Sequence, residues 1–531
     1  MITNRMVLTL VLVVIASVLY PSAMATATGE YRLDFRTEKD EGNARIVGGE
    51  GIELSHHATG KQDRGSLMVT NRGSSVAFLS VPCQDVSNLG EGIFISMWVK
   101  LEKAQGTKIR SALSLNRALP DKRNAYTELS SVPLVDDRWT LLSGWYYNGP
   151  NAGRPIDFKV AVEPGCILLI DDLVMISSSI AQPVDNRLPL LVAGADIVEG
   201  GRPFVLHGVN LYGCSDDETS DTRHETSAVT EDDYRDIATA GFNCVRLCLW
   251  HKVFRENGGW EWLKLHCLWA RRHGLRLILD MHSPLGGYQS NEYKGEFWKN
   301  PKMQQELIDF WVEAAKVFKD NPVVAAFDIM NEPKPPKDKD WISFASRTLV
   351  EIRKAGWSRP VIVESSMLVD GWSEFSPKLD DSGVIYDVHF YMPWDFCSKG
   401  QPTYGQAGRG YGGAVIDGAF LHEHLELDLL RFGRKHHVPV NSGEFGVSDK
   451  ALAVGGEKWL ADMLLLMNTH RVHRQYFCWC VYGDFGIEPG HFRRYPHDRR
   501  HGVLRVLKET QPIIENGQQD AGGDGIPPPH R

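Results

Sequence analysis

"VVAAFDIMNEP", residues 323–333, runs apolar for most of its length and then delivers Asn331, Glu332 and Pro333. A carboxylate inside a buried strand is costly, so it belongs at an end. Proline lacks the N–H that a further ladder bond would need, and it stops the strand there. An amide and an acid at such a stop suit a barrel of parallel strands, which presents its chemistry at the C-terminal strand ends.

The rest of the C-terminal region has the matching period. Apolar runs recur at "PFVLHGVN" (203–210), "NCVRLCLW" (243–250), "LRLILDMH" (275–282), "PVIVES" (360–365), "VIYDVHFY" (384–391), "VPVNSGEFG" (438–446) and "RQYFCWCVYG" (474–483). Amphipathic stretches such as "QQELIDFWVEAAKVFK" (304–319) and "LHEHLELDLLRFGRKH" (421–436) fall between them. Eight strands alternating with helices predict an α/β fold of the (β/α)8 TIM-barrel class over residues 200–512. A doubly wound open sheet would need a glycine-rich turn after its first strand, and none is present.

Residues 28–180 read differently. "SVAFLSV" (75–81), "IFISMWVKL" (93–101), "WTLLSGWYY" (139–147), "IDFKVAVE" (156–163) and "CILLIDDLVMIS" (166–177) are short strands separated by turn residues, the pattern of an all-β sandwich preceding the barrel. A linker is expected at 181–199, and a disordered tail at 516–531, which is polar and rich in glycine and proline. Residues 1–25 read as a signal peptide: Arg5, the apolar run 6–20, then Ala23, Met24 and Ala25. The run is short for a spanning helix, which needs roughly 17–25 residues. The expected product is secreted, extracellular or periplasmic, with no stable membrane insertion.

A net charge of −9 over 531 residues, with both signs interspersed, offers no basic stripe and argues against nucleic acid as a partner. Nine cysteines is an odd number and includes no CxxC pair, so buried free thiols are preferred to a zinc module.

Arg246, His282, Asn331, Glu332, His389, Tyr391, Glu444 and Trp479 all fall late in predicted strands. Taken singly, such a glutamate is more often a helix cap or half of an ion pair, and such a tryptophan is more often core. Together, a barrel would gather them around one opening. Two carboxylates in unequal environments are what glycosidic bond cleavage needs. Arg246 and Tyr391 are placed to donate to Glu444 and keep it ionised as a nucleophile, while Glu332 stays protonated as the general acid. Asn331 can donate to a sugar hydroxyl, and Trp479 offers a flat face to a pyranose ring.

With "NEP" at 331–333, "HFY" at 389–391 and "GEFG" at 443–446, the region from about 200 to 510 resembles glycoside hydrolase family 5, a retaining family that includes many cellulases and mannanases. The resemblance implies Glu332 as acid/base and Glu444 as nucleophile in a double displacement. It places Arg246, His282, Asn331, His389, Tyr391 and Trp479 at the remaining shared positions, with no metal or other cofactor. "LHEHLE" (421–426) fails as a zinc motif because position 426 is Glu.

The sandwich is similar to carbohydrate-binding modules of families 4, 9 and 22, with Trp98, Trp139, Trp145, Tyr146 and Tyr147 as candidate contacts. "IDDL" (170–173) is compatible with the structural calcium such modules often hold. The loop "MPWDFCSKGQPTYGQAGRGYGG" (392–413) reads as a cleft wall, and its opening resembles a YxPxxF stretch of some family 5 β-glucanases. The expected partner is a polysaccharide, β-1,4-glucan before mannan, xylan or β-1,3-glucan, acted on by a monomer. The rival classes are a glycan-binding protein without catalysis and a metal-dependent hydrolase.

Overall fold

The computed structural model describes Gly29 to Pro512 except for connecting segments, the longest of which are 36–44, 84–91, 148–155, 179–186, 213–228 and 489–499. The leader, the acidic loop 214–227 and the tail therefore lie outside the described residues.

Eight parallel strands close into a barrel: β1 (His207–Tyr212), β2 (Cys244–Trp250), β3 (Arg276–Ser283), β4 (Val324–Asp328), β5 (Val361–Glu364), β6 (Val384–His389), β7 (Val440–Phe445) and β8 (His473–Tyr476), with β8 pairing back onto β1. Every residue of β2, β3, β4, β5 and β7 is buried. This is why these strands read as continuous apolar runs: barrel side chains fill the inside and helices cover the outside. The helix Pro301–Phe318 shows how the outer layer is built. Asn300 caps its N-terminus by accepting from the Lys302 and Met303 N–H groups, with Pro301 at the first position. Leu307, Ile308, Trp311, Ala314 and Ala315 form its buried face, and the Trp311 indole donates to the Ile329 carbonyl at 3.1 Å.

The segment expected as a linker differs in its second half. Leu190–Ala193, Asp196–Glu199 and Arg202–Pro203 form a small antiparallel sheet. Its Leu190 and Ile197, with Leu206, pack on Cys244, Ile278, Ala325, Ile362 and Ile385 and close the N-terminal end of the barrel. The apolar residues of 188–198 mark this plug, which a composition of loop-forming residues around it obscures.

The N-terminal region has two antiparallel sheets. One runs Ile52–His57, Ser66–Asn71, Ile167–Ser178, Gly92–Lys103, Trp139–Tyr147; the other runs Arg45–Val47, Ala77–Cys83, Ile156–Val162, Arg110–Ala118, Asn124–Pro133. Leu67, Val69, Ile95 and Met97 of the first share a core with Leu79, Val81, Phe158 and Val160 of the second. Among the described residues Cys244, Cys248, Cys267 and Cys397 are free, buried thiols, and Cys166 and Cys478 are buried as well. No helix among the described residues is long and apolar enough to cross a membrane.

Candidate active site

Arg246 organises the mouth of the barrel. It is the third residue of β2, earlier in the strand than its sequence run suggested, and is fully buried. Its guanidinium donates to Asp328 at 2.9 Å, to Asn210 and Asn331 at 2.9 Å each, to Glu364 at 2.9 Å and to Glu444 at 3.1 Å, and it lies 3.1 Å from Asp280. A planar fork with five N–H donors and a charge it does not lose is the side chain suited to so many acceptors. Burial works against its charge, yet the surrounding carboxylates hold its pKa well above the ordinary value. Burial likewise pushes the Asp328 carboxyl well up, against Arg246, and raises Asp387 to about 7.

Glu444, on β7, is 5 % exposed. Its Oε1 accepts from Arg246 and its Oε2 from the Tyr391 hydroxyl at 3.0 Å, while His282 Nδ1 stands 4.0 Å away. The two donors are those expected from the sequence, but the net balance is not. Burial raises the Glu444 pKa above its ordinary 4.5, with His389 and Arg246 pulling it back and Glu332 adding to the rise. Full desolvation of the carboxylate outweighs the cations around it. Burial, together with Glu444 and Glu332, also holds the Tyr391 hydroxyl well above its ordinary value, so Tyr391 remains a donor.

The neighbouring residue Gly443 has a packing reason to be glycine. A Cβ there would lie 2.9 Å from the Asp387 carboxylate, which also accepts the Gly443 N–H at 3.1 Å. Register shifts between Asp387 and His389 on β6, and between Ser442 and Phe445 on β7, flank Glu444. Such irregularities re-aim side chains at a barrel rim.

Glu332 follows β4 by four residues. The ladder continues past the strand, with the Ile329 and Asn331 N–H groups donating to Ile362 and Met281 carbonyls. At Glu332 the chain turns into the left-handed region, with φ +42°, a conformation that costs a non-glycine residue on the order of 1–3 kcal/mol. The Glu332 Oε1 lies 3.0 Å from His389 Nδ1. His389 also reaches Glu444 at 3.5 Å and, through Nε2, Glu364 at 3.3 Å. Burial disfavours its charge, but Glu364 and Glu444 raise its pKa well above the ordinary value, so both ring nitrogens carry protons.

Asn331 Oδ1 is held by Arg246, while its buried Nδ2 has no hydrogen-bond partner among the described residues. His282, the second-to-last residue of β3, hydrogen-bonds Asp280 through Nδ1 at 2.7 Å and stacks on Trp250.

Seven of the eight residues singled out from the sequence therefore converge. The eighth is placed differently. Trp479 lies three residues beyond β8, is 1 % exposed, and donates from its indole to Asp233 at 3.2 Å. The expected open face for a sugar is turned into packing, because the chain leaves β8 and ties its N–H to the Asn210 carbonyl. Trp394, which opens the short helix Trp394–Lys399 after β6, is instead 53 % exposed and stands edge-on to Tyr391 at 5.7 Å. Phe396 of the same helix is core.

Glu364, at the end of β5, was not among the residues read from the sequence although it completes the Arg246 network. The polar end of "PVIVES" carried the same signal as the other strands.

In the sandwich, Trp98 is partly buried beneath Lys61, whose ammonium lies 4.7 Å above the ring. The side chains of Trp145, Tyr146 and Tyr147 lie outside those described. At "IDDL", Asp171 accepts the Lys61 and Asp172 N–H groups at 2.8 Å each.

A closed parallel barrel with paired glutamates at its mouth is the architecture of a glycoside hydrolase. Residues 199–483 match the model of the cellulase family, glycosyl hydrolase family 5, and the chain belongs to that family. It is 24 % identical to Endoglucanase C of Acetivibrio thermocellus over 310 residues, covering 50 % of this chain and 88 % of that protein. It is 22 % identical to Cellodextrinase A of Ruminococcus flavefaciens, over 51 % of this chain and 84 % of that one. Among solved structures, Cel5A of Thermotoga maritima in complex with mannotriose aligns over 57 % of this chain and 97 % of its own at 20 % identity, with a TM-score of 0.45. The protein is a glycoside hydrolase.

Replacing Tyr391 by phenylalanine removes a donor that favours the Glu444 carboxylate. In the nucleophile role proposed below, Glu444 must be ionised, so activity should be lost as pH falls through its pKa. The acid limb of kcat/KM in the wild type should lie above pH 4.5 and move further up in Tyr391→Phe. A hydrogen bond to a charged group is worth roughly 1.5–3 kcal/mol, so kcat/KM should drop about 10- to 100-fold. A pH–rate profile checks both, and an unmoved acid limb would remove Tyr391 from the nucleophile's support.

Proposed function

We propose that the protein hydrolyses a β-linked polysaccharide with retention of configuration, with Glu444 as nucleophile and Glu332 as acid/base. The observation that carries this is their spacing: an oxygen of each, with a nitrogen of His389, lies within 4.8 Å of the others. Retaining enzymes hold the two carboxyl groups roughly 5–5.5 Å apart, whereas inversion needs about 6.5–9.5 Å to admit a water. Glu444 attacks the anomeric carbon while Glu332 gives its proton to the leaving oxygen. Glu332 then takes a proton from the water that releases the sugar from Glu444. The unpartnered Asn331 Nδ2 is a donor for a sugar hydroxyl beside the reacting carbon.

Glu332, His389 and Glu444 are spaced closely enough to ligate a cation. A double displacement between two carboxyl groups needs no metal, and donors of the protein itself already meet both glutamates. Hydrolysis should accordingly be unaffected by a chelator. The calcium reading of the sandwich is a separate proposal and concerns its stability rather than the chemistry.

The favoured substrate is β-1,4-glucan, cut as by an endoglucanase, with Trp394 as an exposed aromatic beside Tyr391 for a sugar ring to stack on. The sandwich is proposed to bind the same polymer, and the chain to act outside the cell as a monomer. Reducing ends released from carboxymethyl-cellulose, mixed-linkage β-glucan, mannan, xylan and laminarin test the substrate. Highest activity on the two polymers with β-1,4-glucose links supports the reading. A mannan or xylan preference keeps the mechanism and replaces the substrate.

A further inference from the structure

Glu364 lies at the end of β5 and is 2 % exposed. One of its oxygens, Oε2, accepts the backbone N–H of Glu332 at 2.7 Å. The other, Oε1, accepts from Arg246 at 2.9 Å and lies 3.3 Å from His389 Nε2. His389 in turn meets the Glu332 carboxyl through Nδ1 at 3.0 Å. One carboxylate thus holds the Glu332 amide directly and stands in ionic contact with the histidine that meets the Glu332 side chain.

The amide end matters because Glu332 sits at φ +42°. A glutamate keeps that conformation only where its surroundings impose it. The backbone conformation sets the direction in which the side chain leaves the chain. Relaxation toward the extended region, favoured for a residue that precedes proline, would swing the carboxyl away from the scissile oxygen. We propose that Glu364 is the positioning residue of the acid/base, holding Glu332 in its left-handed turn and orienting His389 against its carboxyl. This rests on the assignment of Glu332 above. With its two oxygens bonded to Arg246 and to the Glu332 amide, Glu364 acts through Glu332 and not on the sugar.

The test is Glu364→Gln in the full chain, which keeps the shape but turns one acceptor into a donor facing either the Glu332 N–H or Arg246. The readout is kcat/KM on two aryl β-glycosides of the accepted sugar, one with a dinitrophenyl and one with a phenyl leaving group. This parameter reports the first displacement, and only the phenyl compound needs a proton there. Misplacement of a catalytic group costs about 100-fold, so the phenyl value should fall by about that factor and the dinitrophenyl value by less than about 3-fold.

Equal losses on both substrates would overturn the proposal and leave Glu364 a structural ligand of Arg246. Should Glu364→Gln not be recovered folded, Glu364→Asp keeps the charge beside Arg246 while drawing the carboxylate back by one methylene, and the same two outcomes decide. Glu332→Ala is the control. If it shows no such split between the two substrates, the acid/base assignment itself fails, and this proposal with it.

Discussion

Glu444→Ala should lose hydrolysis by on the order of 10⁴-fold or more in kcat while keeping its fold and its binding to polysaccharide. The fold should survive because Arg246 retains Asp280, Asp328 and Glu364 as partners when Glu444 is gone.

Its counterpart Glu332→Ala should behave differently. General acid–base assistance is worth about 10²- to 10⁴-fold, and that loss should fall on substrates with poor leaving groups. Azide should restore turnover in Glu332→Ala by attacking the anomeric carbon and displacing the Glu444 carboxylate, giving a glycosyl azide of the starting configuration. Circular dichroism, a pull-down on insoluble polymer and product analysis read these outcomes. A folded Glu444→Ala enzyme within about tenfold of wild type would sink the nucleophile assignment, and so would an azide product of inverted configuration.

Arg246→Met should be the most destabilising single change at the site. Four carboxylates, Asp280, Asp328, Glu364 and Glu444, lose the cation they share. Removing one partner of a buried ionic cluster costs about 3–5 kcal/mol, because the charges left behind stay desolvated. Arg246→Lys should rescue little, since one ammonium cannot reach acceptors spread over five strand ends.

The loss should depend on pH. Burial already raises Asp328 well above its ordinary value with Arg246 present, and removal of the cation raises it further. A carboxyl whose folded pKa lies above its unfolded one favours the folded state at low pH and loses that contribution as pH rises through the folded value. Denaturant midpoints should therefore show a smaller deficit near the ordinary carboxylate range, about pH 4, than at about pH 7. A midpoint equal to wild type at neutral pH would mean that the network contributes nothing to stability.

The barrel was legible because its strands are covered on both faces, so burial writes each of them as an unbroken apolar run that ends where the chemistry begins. The sandwich was legible for a different reason: in a strand such as Ile156–Val162 one face packs and the other does not, so Phe158, Val160 and Val162 are buried and their neighbours are not. Glu332, Glu444, Arg246, His282, Asn331, His389 and Tyr391 could be found because each is a polar group at or near such an end. Glu364 satisfied the same rule at the end of "PVIVES", and what singles it out is its place in the Arg246 network, which only the folded chain brings together. The plug at 190–203 was missed because strands of two to four residues carry no period.

The apolar runs that become strands, and the ends at which polar groups gather, are local properties, and the sequence by itself determined them. The energetic balance at the site is not local. Whether Glu444 is held ionised or pushed toward its acid form depends on how much water the barrel excludes against how many cations it brings near, and five strands contribute to that sum. Whether Trp479 faces a sugar or Asp233 depends on the path of the chain after β8. The left-handed turn at Glu332 is held by a carboxylate thirty-two residues further along the chain. Only the tertiary structure could decide these, because each depends on the distance between groups that the chain itself keeps far apart.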